Sequence, residues 1–556
     1  MTIPMWQCNV LGFAVQIKQC AFHVRFMTEP NAVANLLAWC SERGFWIDPS
    51  IQIISGPCGV AVVSQDSTIP EDRILVRIPR ESVLSVKSSP ISDLIPPHPY
   101  GRGAQLSLAL ALSVELVIGA TSPWFLYLQS LPRQIPGIPL FWSRGVENQQ
   151  SFPPNGDPFE WLNGTEAWKM LFDSGDSDSS LVSEIDEYFH EVAEPVYAQV
   201  FESSPEKAPS SPEFYHAYSL VSSRSFLVDS YHGLSMVPIA DAFNHTQENH
   251  VHLESDFDVC PECGSLQRCV HDDTTEPDPR SIVPDDADNF YEMVSSLPIP
   301  PHSEVFNTYG ETLTNAQLLV QYGFILDGND NDHLTWTFDE LAQFSEHHLL
   351  ASGSWTWDSV GGLPEFRDLL RSINLRPWER ISESELVSLD RTHQFSLNGD
   401  ATISHGLWLF FALLLVCLRN TSPYHTRNLD SLIVLLEETL QCQLTLESSE
   451  STNHADDDDT LLVPPSPGHS DQQQRPSPYG VILELARLLA SLCRARSART
   501  GRAGVEMAEL GEILDRLPND MTPTKMAISL AMTERSLLDS CMSAWDGFVD
   551  GALGQA

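Results

Sequence analysis

Basic residues are scarce in this chain of 556 residues. Lys and Arg number 31 against 75 Asp and Glu, which gives a formal net charge of −44. Such a charge repels the phosphate backbone of nucleic acids and attracts basic partners. Part of the acidity is also expected in solvated loops that bind nothing. The balance therefore argues against direct nucleic-acid binding and favours a basic protein as partner, such as a ribosomal protein or a histone tail.

Cysteine is sparse as well, and its pattern argues against a disulfide framework. The 11 Cys residues are an odd number, and apart from one cluster they lie singly. That usage is typical of a reducing compartment. The longest apolar run, residues 407–418, falls short of the about 18 residues that a membrane-spanning helix needs, so we expect a buried helix there and no membrane partner. These features predict a protein of the cytoplasm, the nucleus or both.

The first 27 residues lack the marks of a targeting segment. They have neither the basic start and small-residue cleavage site of a signal peptide nor the Ser and Arg content of a transit peptide. Met27 is followed directly by a helical pattern. We therefore expect residues 1–27 to be an anomalous leader, an extension of the gene model, with Met27 as the true start.

Strand-like and helical patterns fall in separate blocks along the rest of the chain. Residues 51–85 carry three β-patterned runs, IQIIS, GVAVVSQDSTI and ILVRIP, punctuated by Gly and Pro. Helical patterns follow at 106–120, 181–201 and 212–221, and again in two blocks at 364–446 and 479–542. The tract at 447–478 is polar, acidic and Pro-rich, which predicts a disordered linker.

Three motifs follow one another in the middle of the chain. Residues 222–226 read SSRSF, residues 237–246 read VPIADAFNHT, and residues 304–324 read EVFNTYGETLTNAQLLVQYGF. Taken singly, each fits ordinary turns and core aromatics. As an ordered set they resemble the C-terminal half of a SET domain, the fold of S-adenosylmethionine-dependent protein methyltransferases. The strand block at 51–85, with its glycine turn and Ile-Pro ending, resembles the opening of the same domain.

An aromatic insertion narrows the resemblance to one branch. Its segments, residues 122–132, 138–143 and 161–168, read SPWFLYLQSLP, IPLFWS and WLNGTEAW. Their order resembles the insertion of the Rubisco large-subunit methyltransferase class, which includes fungal ribosomal-protein lysine methyltransferases and the actin histidine methyltransferase. The resemblance implies an α+β fold. Its expected parts are a SET domain of short β-sheets with a pseudoknot at 28–100 and 221–340, a helical insertion at 101–220, and a C-terminal all-helical, substrate-binding domain at 341–446 and 479–550.

The same resemblance implies roles for three polar residues. Tyr309, in its Tyr-Gly context, matches the active-site tyrosine of SET domains, and we expect it to be catalytic and to touch the cofactor. Arg224 matches an arginine that pairs with the methionyl carboxylate of the cofactor, a task that suits a forked guanidinium. Asp241 matches a carboxylate near the same site. Without the resemblance, Tyr309 would be interpreted as a turn residue and Arg224 as part of a surface ion pair.

Asn244 and His245 form the Asn-His dipeptide that SET domains thread through their pseudoknot. The resemblance implies that both contact the cofactor and that His245 is neither a proton shuttle nor a metal ligand. Tyr322 matches a second aromatic position, for which a wall of the substrate channel and a core position stay equally open.

The glycine turn departs from the family pattern. SET domains have Gly-x-Gly there, with backbone N–H groups that meet the cofactor, whereas this chain has Pro57 in place of the first of those glycines. Proline has no N–H and a fixed φ. Cys58 and Gly59 remain the turn residues expected to contact the cofactor.

The function implied is protein-lysine N-methylation with S-adenosylmethionine, on a basic protein and with a ribosomal protein favoured. Lysine has a pKa near 10.4 in water, so an apolar channel has to favour its neutral, nucleophilic form. Histidine methylation and a SET-derived binding module without catalysis stay open as alternatives.

One cluster lies outside these motifs, in the sequence CPECGSLQRCVH. Its Cys260, Cys263, Cys269 and His271 are four soft or borderline ligands within twelve residues, enough for tetrahedral zinc. A structural zinc site, a reduced loop without metal and a redox pair are the three interpretations, and the cluster is expected in an insert at 256–280 of the SET domain.

Overall fold

The computed structural model describes most of the chain in fifteen segments. These are residues 31–56, 59–98, 100–133, 137–142, 156–172, 180–255, 259–266, 268–271, 289–350, 356–374, 395–419, 429–451, 477–502, 504–518 and 521–554. The predictions for residues 1–27, for Pro57 and Cys58, and for residues 452–476 of the predicted linker lie outside the described residues.

The described strands are short and form small antiparallel sheets. They are β1 Trp46–Ile47, β2 Ile51–Gly56, β3 Gly59–Ser64, β4 Ile74–Pro79, β5 Leu84–Ser85, β6 Ser225–Asp229, β7 Gly233–Met236, β8 Val251–Glu254, β9 Phe290–Ser295, β10 Leu334–Thr335 and β11 Ser396–Leu397. One sheet has the order β1-β4-β9-β8 and another the order β5-β7-β6, while β2 pairs with β3 and β10 with β11. Strands from both halves of the predicted SET domain therefore share sheets.

Helices make up most of the remaining described structure. The first nine are α1 Ala32–Glu42, α2 Gly101–Ile118, α3 Phe125–Leu128, α4 Pro158–Leu162, α5 Glu166–Phe172, α6 Leu181–Tyr188, α7 Glu194–Val200, α8 Ser211–Arg224 and α9 Asn315–Tyr322. The others are α10 Phe338–Leu350, α11 Leu363–Asn374, α12 His405–Arg419, α13 Leu429–Ser451, α14 Pro478–Ser497, α15 Met507–Arg516 and α16 Thr522–Gly554. A π-helical segment at Phe189–Ala193 joins α6 to α7.

Contacts divide the chain into two compact units. The first comprises Met1–Pro158, Ala167–Gly328 and Arg516–Met526, and it holds every sheet except β10-β11. The second comprises Phe159–Glu166, Asn329–Asp515 and Ala527–Ala556. The short run Phe159–Glu166, which the sequence places in the insertion, thus belongs to the second unit.

The core of the second unit surrounds α12. This helix is apolar on all sides and almost every residue from Leu407 to Cys417 is buried, as expected for a helix enclosed by others. Helices α11, α13 and α14 pack against it. Among the described residues of this unit, β10 and β11 form a two-residue ladder and the remaining regular structure is helical. Helix α13 continues to Ser451, into the tract predicted to be disordered, because a formed helix gains one hydrogen bond for each residue it adds.

Helix α2 corrects one prediction. The stretch Gly101–Thr121 is long and apolar enough to cross a membrane by length and composition alone, whereas we expected no stretch of that length. Alternating Ala, Leu and Ser give it a high mean hydropathy without the continuous large apolar run that we searched for. Within the fold, 61% of the tested window is buried, and α8 packs along it. Its burial is that of a core helix.

Candidate active site

The three central motifs meet around one cavity of about 200 Å³ in the first unit. Its lining comes from the end of α8 and the start of β6, from the loop after β7, and from the segment before and at the end of α9. The lining residues are Ser223, Arg224, Ser225, Phe226, Leu227, Asp241, Thr308, Tyr309 and Tyr322. Residues far apart in the sequence therefore share one site.

Backbone pairing of residues 304–309 brings the motifs together. The Val305 N–H donates to Val62 O of β3 at 2.8 Å, and the Asn307 N–H donates to Asn244 O at 2.8 Å. The Thr246 N–H in turn donates to Asn307 O at 3.0 Å. The segment thus lies between β3 and the Asn-His run, and its next residues, Thr308 and Tyr309, reach the cavity.

Helix α9 delivers the last motif. Thr314 and Gln317 form a capping box at its start, and Gly323 ends it in the left-handed conformation with φ of 77°. A Cβ on Gly323 would lie 2.9 Å from the carbonyl carbon of Gly137, so no other residue fits there without a shift. Ser222 Oγ donates to Gln321 O at 3.1 Å, which ties the first motif to this helix end.

Arg224 and Asp241 form the polar wall of the cavity. The Nη1 atom of Arg224 donates to Asp241 O at 3.0 Å and lies 3.7 Å from Asp241 Oδ2. Tyr127 of α3 is fully buried, and its O–H donates to the same Oδ2 at 3.0 Å. Burial raises the pKa of Asp241, while the Arg224 charge and the Tyr127 hydrogen bond oppose that rise. The carboxyl group is therefore held in place from two sides.

The loop that carries Asp241 contains a strained residue. Ile239, which is fully buried, has φ of 71°, a conformation that β-branched side chains rarely adopt. Such strain persists only where the surroundings enforce it, and it is common at functional sites. The turn Ala240–Ala242 that follows places Asp241 against Arg224 and Tyr127.

The rings of Tyr309 and Tyr322 form the aromatic wall of the cavity, and those of His245 and Phe324 pack beside them. The rings of Tyr309 and Tyr322 stack with centroids 4.7 Å apart, and His245 lies 5.1 Å from Tyr309 and 5.8 Å from Phe324. The O–H of Tyr322 lies 3.5 Å from Tyr309 O. Burial raises the pKa of Tyr322 to about 12, so its phenol stays neutral near pH 7. This wall offers apolar ring faces with phenol oxygens beside them.

His245 supports Tyr309 from behind. Its Nδ1 accepts a hydrogen bond from the Tyr309 backbone N–H at 3.0 Å. Burial lowers the pKa of His245 to about 4, so the ring is neutral at pH 7 and, since Nδ1 accepts, carries its proton on Nε2. The side chain of Asn244 donates from Nδ2 to Glu304 Oε1 at 2.6 Å. Both residues of the dipeptide fasten the 304–309 segment.

The sequence-predicted site residues fall into three groups. Arg224, Asp241, Tyr309 and Tyr322 line the cavity, whereas Asn244 and His245 stand next to it. Gly59 has φ of 117° and pairs with Gly56 at the β2–β3 turn; a Cβ added to it would lie 3.7 Å from Arg224 Nη2. Cys58 lies outside the described residues. Their roles toward a cofactor stay predictions.

Sequence reasoning named neither Tyr127, which bonds to Asp241, nor the lining residues Ser223, Ser225, Phe226, Leu227 and Thr308 as site residues. The segment of Tyr127, SPWFLYLQ, served only to narrow the family resemblance. No spacing rule links Tyr127 to Asp241 along the chain, and only the packing of α3 brings its hydroxyl there.

The Cys/His cluster lies in the same unit but does not line the cavity. The ligand atoms of Cys260, Cys263, Cys269 and His271 all lie within 4.8 Å of one another. The cluster can hold a metal ion, and the 1% exposed Cys260 forms its inner side, with Cys263 and His271 exposed.

Comparison with known proteins supports the resemblance. No family model matches the chain. The chain is 24% identical over 411 residues to Ribosomal lysine N-methyltransferase 3 of Saccharomyces cerevisiae, a match that covers 61% of this chain and 69% of that protein. It is 27% identical over 319 residues to the N-lysine methyltransferase SETD6 of Rattus norvegicus, covering 53% of this chain and about half, 54%, of the relative.

Solved structures agree on the fold. The SET domain of LSMT bound to MeLysine and AdoHcy superposes with a TM-score of 0.54 at 15% identity, covering 95% of this chain and 94% of that one. Rubisco LSMT bound to AdoMet gives a TM-score of 0.51 at 16% identity, covering 94% and 93%. The predicted α+β fold, that of the SET domain of Rubisco LSMT, is thereby confirmed.

Proposed function

We propose that this chain, whose fold is that of the SET methyltransferases of the Rubisco large-subunit class, is an S-adenosylmethionine-dependent protein-lysine N-methyltransferase. One observation carries the proposal: the Arg224–Asp241 pair and the stacked Tyr309 and Tyr322 line the same cavity. The cavity therefore joins a cationic anchor to an aromatic channel wall. The named relatives, yeast Ribosomal lysine N-methyltransferase 3 and SETD6, point the same way.

The donor set fits a cofactor that carries a carboxylate. The Arg224 side chain is 17% exposed, and Asp241 fixes its guanidinium. The remaining N–H groups of that guanidinium can donate hydrogen bonds to a carboxylate. Gly59 lies beside this anchor, and we expect Asn244 and His245 to contact the rest of the cofactor. When bound, S-adenosylmethionine supplies an electrophilic methyl group on a sulfonium centre.

The aromatic wall prepares the acceptor amine. A lysine in water is almost wholly protonated at pH 7. Beside the ring pair of Tyr309 and Tyr322, desolvation disfavours its charged form, and the proton leaves to water. The neutral amine, held beside Tyr309 and Tyr322, would then be the nucleophile for the methyl group that bound S-adenosylmethionine would supply, with the C–S bonding pair staying on sulfur. The phenols hold the amine in line through their oxygen atoms, a gain from positioning.

The proposed substrate is a basic protein, with a ribosomal protein favoured. The net charge of −44 favours approach of a basic partner over nucleic acid. The name of the yeast relative is the second support for a ribosomal substrate. We place the protein in the cytoplasm, the nucleus or both, where such proteins are made and assembled.

The test uses purified full-length protein, methyl-labelled S-adenosylmethionine, and a lysate from cells that lack the gene. We expect one labelled band of high pI in the ribosomal fraction, with the label on a lysine by fragment mass spectrometry. A Tyr309→Phe variant of equal stability serves as the matched control and should label that band far more slowly.

The other outcomes separate the alternatives. Label on a histidine would replace lysine by histidine as the acceptor and leave the fold-based assignment standing. No label in any fraction, with cofactor binding shown by calorimetry, would identify a binding module instead of an enzyme.

A further inference from the structure

The Cys/His cluster consists of Cys260, Cys263, Cys269 and His271, and the proposed methyl transfer does not use it. Its four side chains come from a loop between β8 and β9. Two of the four are exposed to solvent, so the group is not explained by packing in an apolar core.

The distances match those of a tetrahedral site. Zinc bonds of about 2.3 Å to sulfur and about 2.0 Å to nitrogen, at tetrahedral angles, separate neighbouring ligand atoms by about 3.6 to 3.8 Å. Cys263 Sγ lies 3.6 Å from Cys269 Sγ. His271 Nδ1 lies 3.7 Å from Cys260 Sγ and 3.5 Å from Cys269 Sγ. Three edges of the expected tetrahedron are therefore already formed.

These distances disfavour the other interpretations. A disulfide between Cys263 and Cys269 would need its sulfur atoms about 2.05 Å apart. A loop of reduced thiols without a metal has no reason to gather three thiols and an imidazole around one point, since thiols are weak hydrogen-bonding groups.

The turn around Cys260 has the geometry that a metal-binding thiolate needs. The Gly264 N–H donates to Cys260 O at 2.8 Å, and Gly264 has φ of 71°, which closes the Cys-x-x-Cys-Gly turn tightly. The backbone N–H groups of Glu262 and Cys263 are directed at the Cys260 sulfur, as suits a thiolate ligand.

We propose that Cys260, Cys263, Cys269 and His271 bind one structural zinc ion. Three thiolates and one imidazole are a ligand set that selects zinc among the common divalent ions. All four positions are filled by the protein, so the ion activates no water and takes no part in catalysis.

The loop that carries the four proposed zinc ligands stabilises the β6–β7 hairpin. Ser230 Oγ, in the hairpin turn, donates to Val259 O at 3.0 Å. Gly264 packs so closely on Tyr231 that an added Cβ would lie 2.7 Å from its ring. Behind this ring, His232 bonds to Asp229 and Tyr291. Because β6 supplies Phe226 and Leu227 to the cavity, the loop supports one wall of the site from its far end.

The first test needs only the wild-type protein. Protein refolded with zinc chloride should contain one zinc per chain by elemental analysis. N-ethylmaleimide should label its three cluster thiols on the order of tenfold more slowly than in chelator-treated protein, because a metal-bound thiolate is not free to attack. Cys442, in the second unit, is the internal control and should react equally in both samples. Equal rates at the cluster thiols would overturn the proposal.

The second test uses variants. Cys263→Ser combined with Cys269→Ser should abolish zinc binding, whereas Cys442→Ser should keep it; full zinc content in the double variant would overturn the site. Removal of zinc from the wild type should also speed amide hydrogen exchange in residues 225–236 and leave α12 unchanged. Unchanged amide hydrogen exchange in residues 225–236 would show that the loop does not stabilise the hairpin. None of these readouts depends on methyltransferase activity.

Discussion

The cavity around Arg224 and the Cys/His cluster lie in one unit but are built in opposite ways. The cavity collects residues from α8, β6, the loop after β7 and both ends of the last motif, and its polar residues are partly buried. The cluster takes its four ligands from twelve consecutive positions at the surface. A site of the first kind depends on the whole fold, whereas a site of the second kind depends on one loop and its metal.

We therefore expect the cavity to serve catalysis and the Cys/His cluster to serve structural support. Substitutions in the cavity should change reaction rate or cofactor affinity with little loss of stability. Substitutions in the cluster should change metal content and the order of one hairpin. The following four substitutions test the cavity and the residues that support it, from the largest expected effect to the smallest.

Tyr309→Phe should have the largest effect. The change removes one phenol oxygen from the aromatic wall and keeps the ring stack with Tyr322. We expect kcat to fall by roughly 100- to 1,000-fold, as when one positioned polar group is removed from an active site, with little change in cofactor affinity. Single-turnover kinetics measures it. Tyr100→Phe, at a largely exposed tyrosine, is the control. Full activity in Tyr309→Phe would show that Tyr309 has no catalytic role.

Arg224→Lys should come next. Lysine keeps the charge but loses the forked geometry that both Asp241 and a carboxylate require. Losing one hydrogen bond to a charged group should weaken S-adenosylmethionine binding on the order of 10- to 100-fold, measured by calorimetry. Arg102→Lys, in the surface pair with Glu184, should leave it unchanged. Equal affinity in both variants would remove Arg224 from the cofactor site.

The two regions also show what sequence alone can predict. The Cys/His cluster followed from local spacing, because a Cys-x-x-Cys-Gly turn followed closely by Cys-x-His can place four ligands on one ion. The meeting of Arg224, Asp241 and Tyr309 came only from the family resemblance, since no local rule connects residues 224 and 309. Neither local spacing nor the family resemblance predicted a role for Tyr127. The apolar length of α2 was underestimated because small residues interrupt its large apolar ones. The end of α13 was placed too early because helix propagation extends a helix beyond its buried part.

Tyr127→Phe tests a residue that positions Asp241 without lining the cavity itself. The variant loses one hydrogen bond to the buried Asp241 carboxyl. We expect the KM for the cofactor to rise by roughly 5- to 10-fold, with kcat nearly unchanged. The lost hydrogen bond also raises the pKa of Asp241 further, so the acid limb of kcat/KM should move to higher pH. Tyr215→Phe, which removes a similar bond to Asp186 away from the cavity, should do neither. A purely structural Tyr127 would leave the pH profile unmoved.

His245→Asn should have the smallest effect, on the pH dependence of stability. In the folded protein burial holds the pKa of His245 at about 4, against 6.5 for the free side chain. Between these values the unfolded chain binds more protons, so stability falls as pH drops from 6.5 towards 4 and levels off below. Asparagine does not titrate, and its Oδ1 can accept the Tyr309 N–H in place of Nδ1. Urea midpoints measured from pH 7.5 to 4.5 should therefore fall less steeply in the variant. His190→Asn, at an exposed histidine, should keep the wild-type slope, and equal slopes in all three proteins would show that His245 does not titrate in this window.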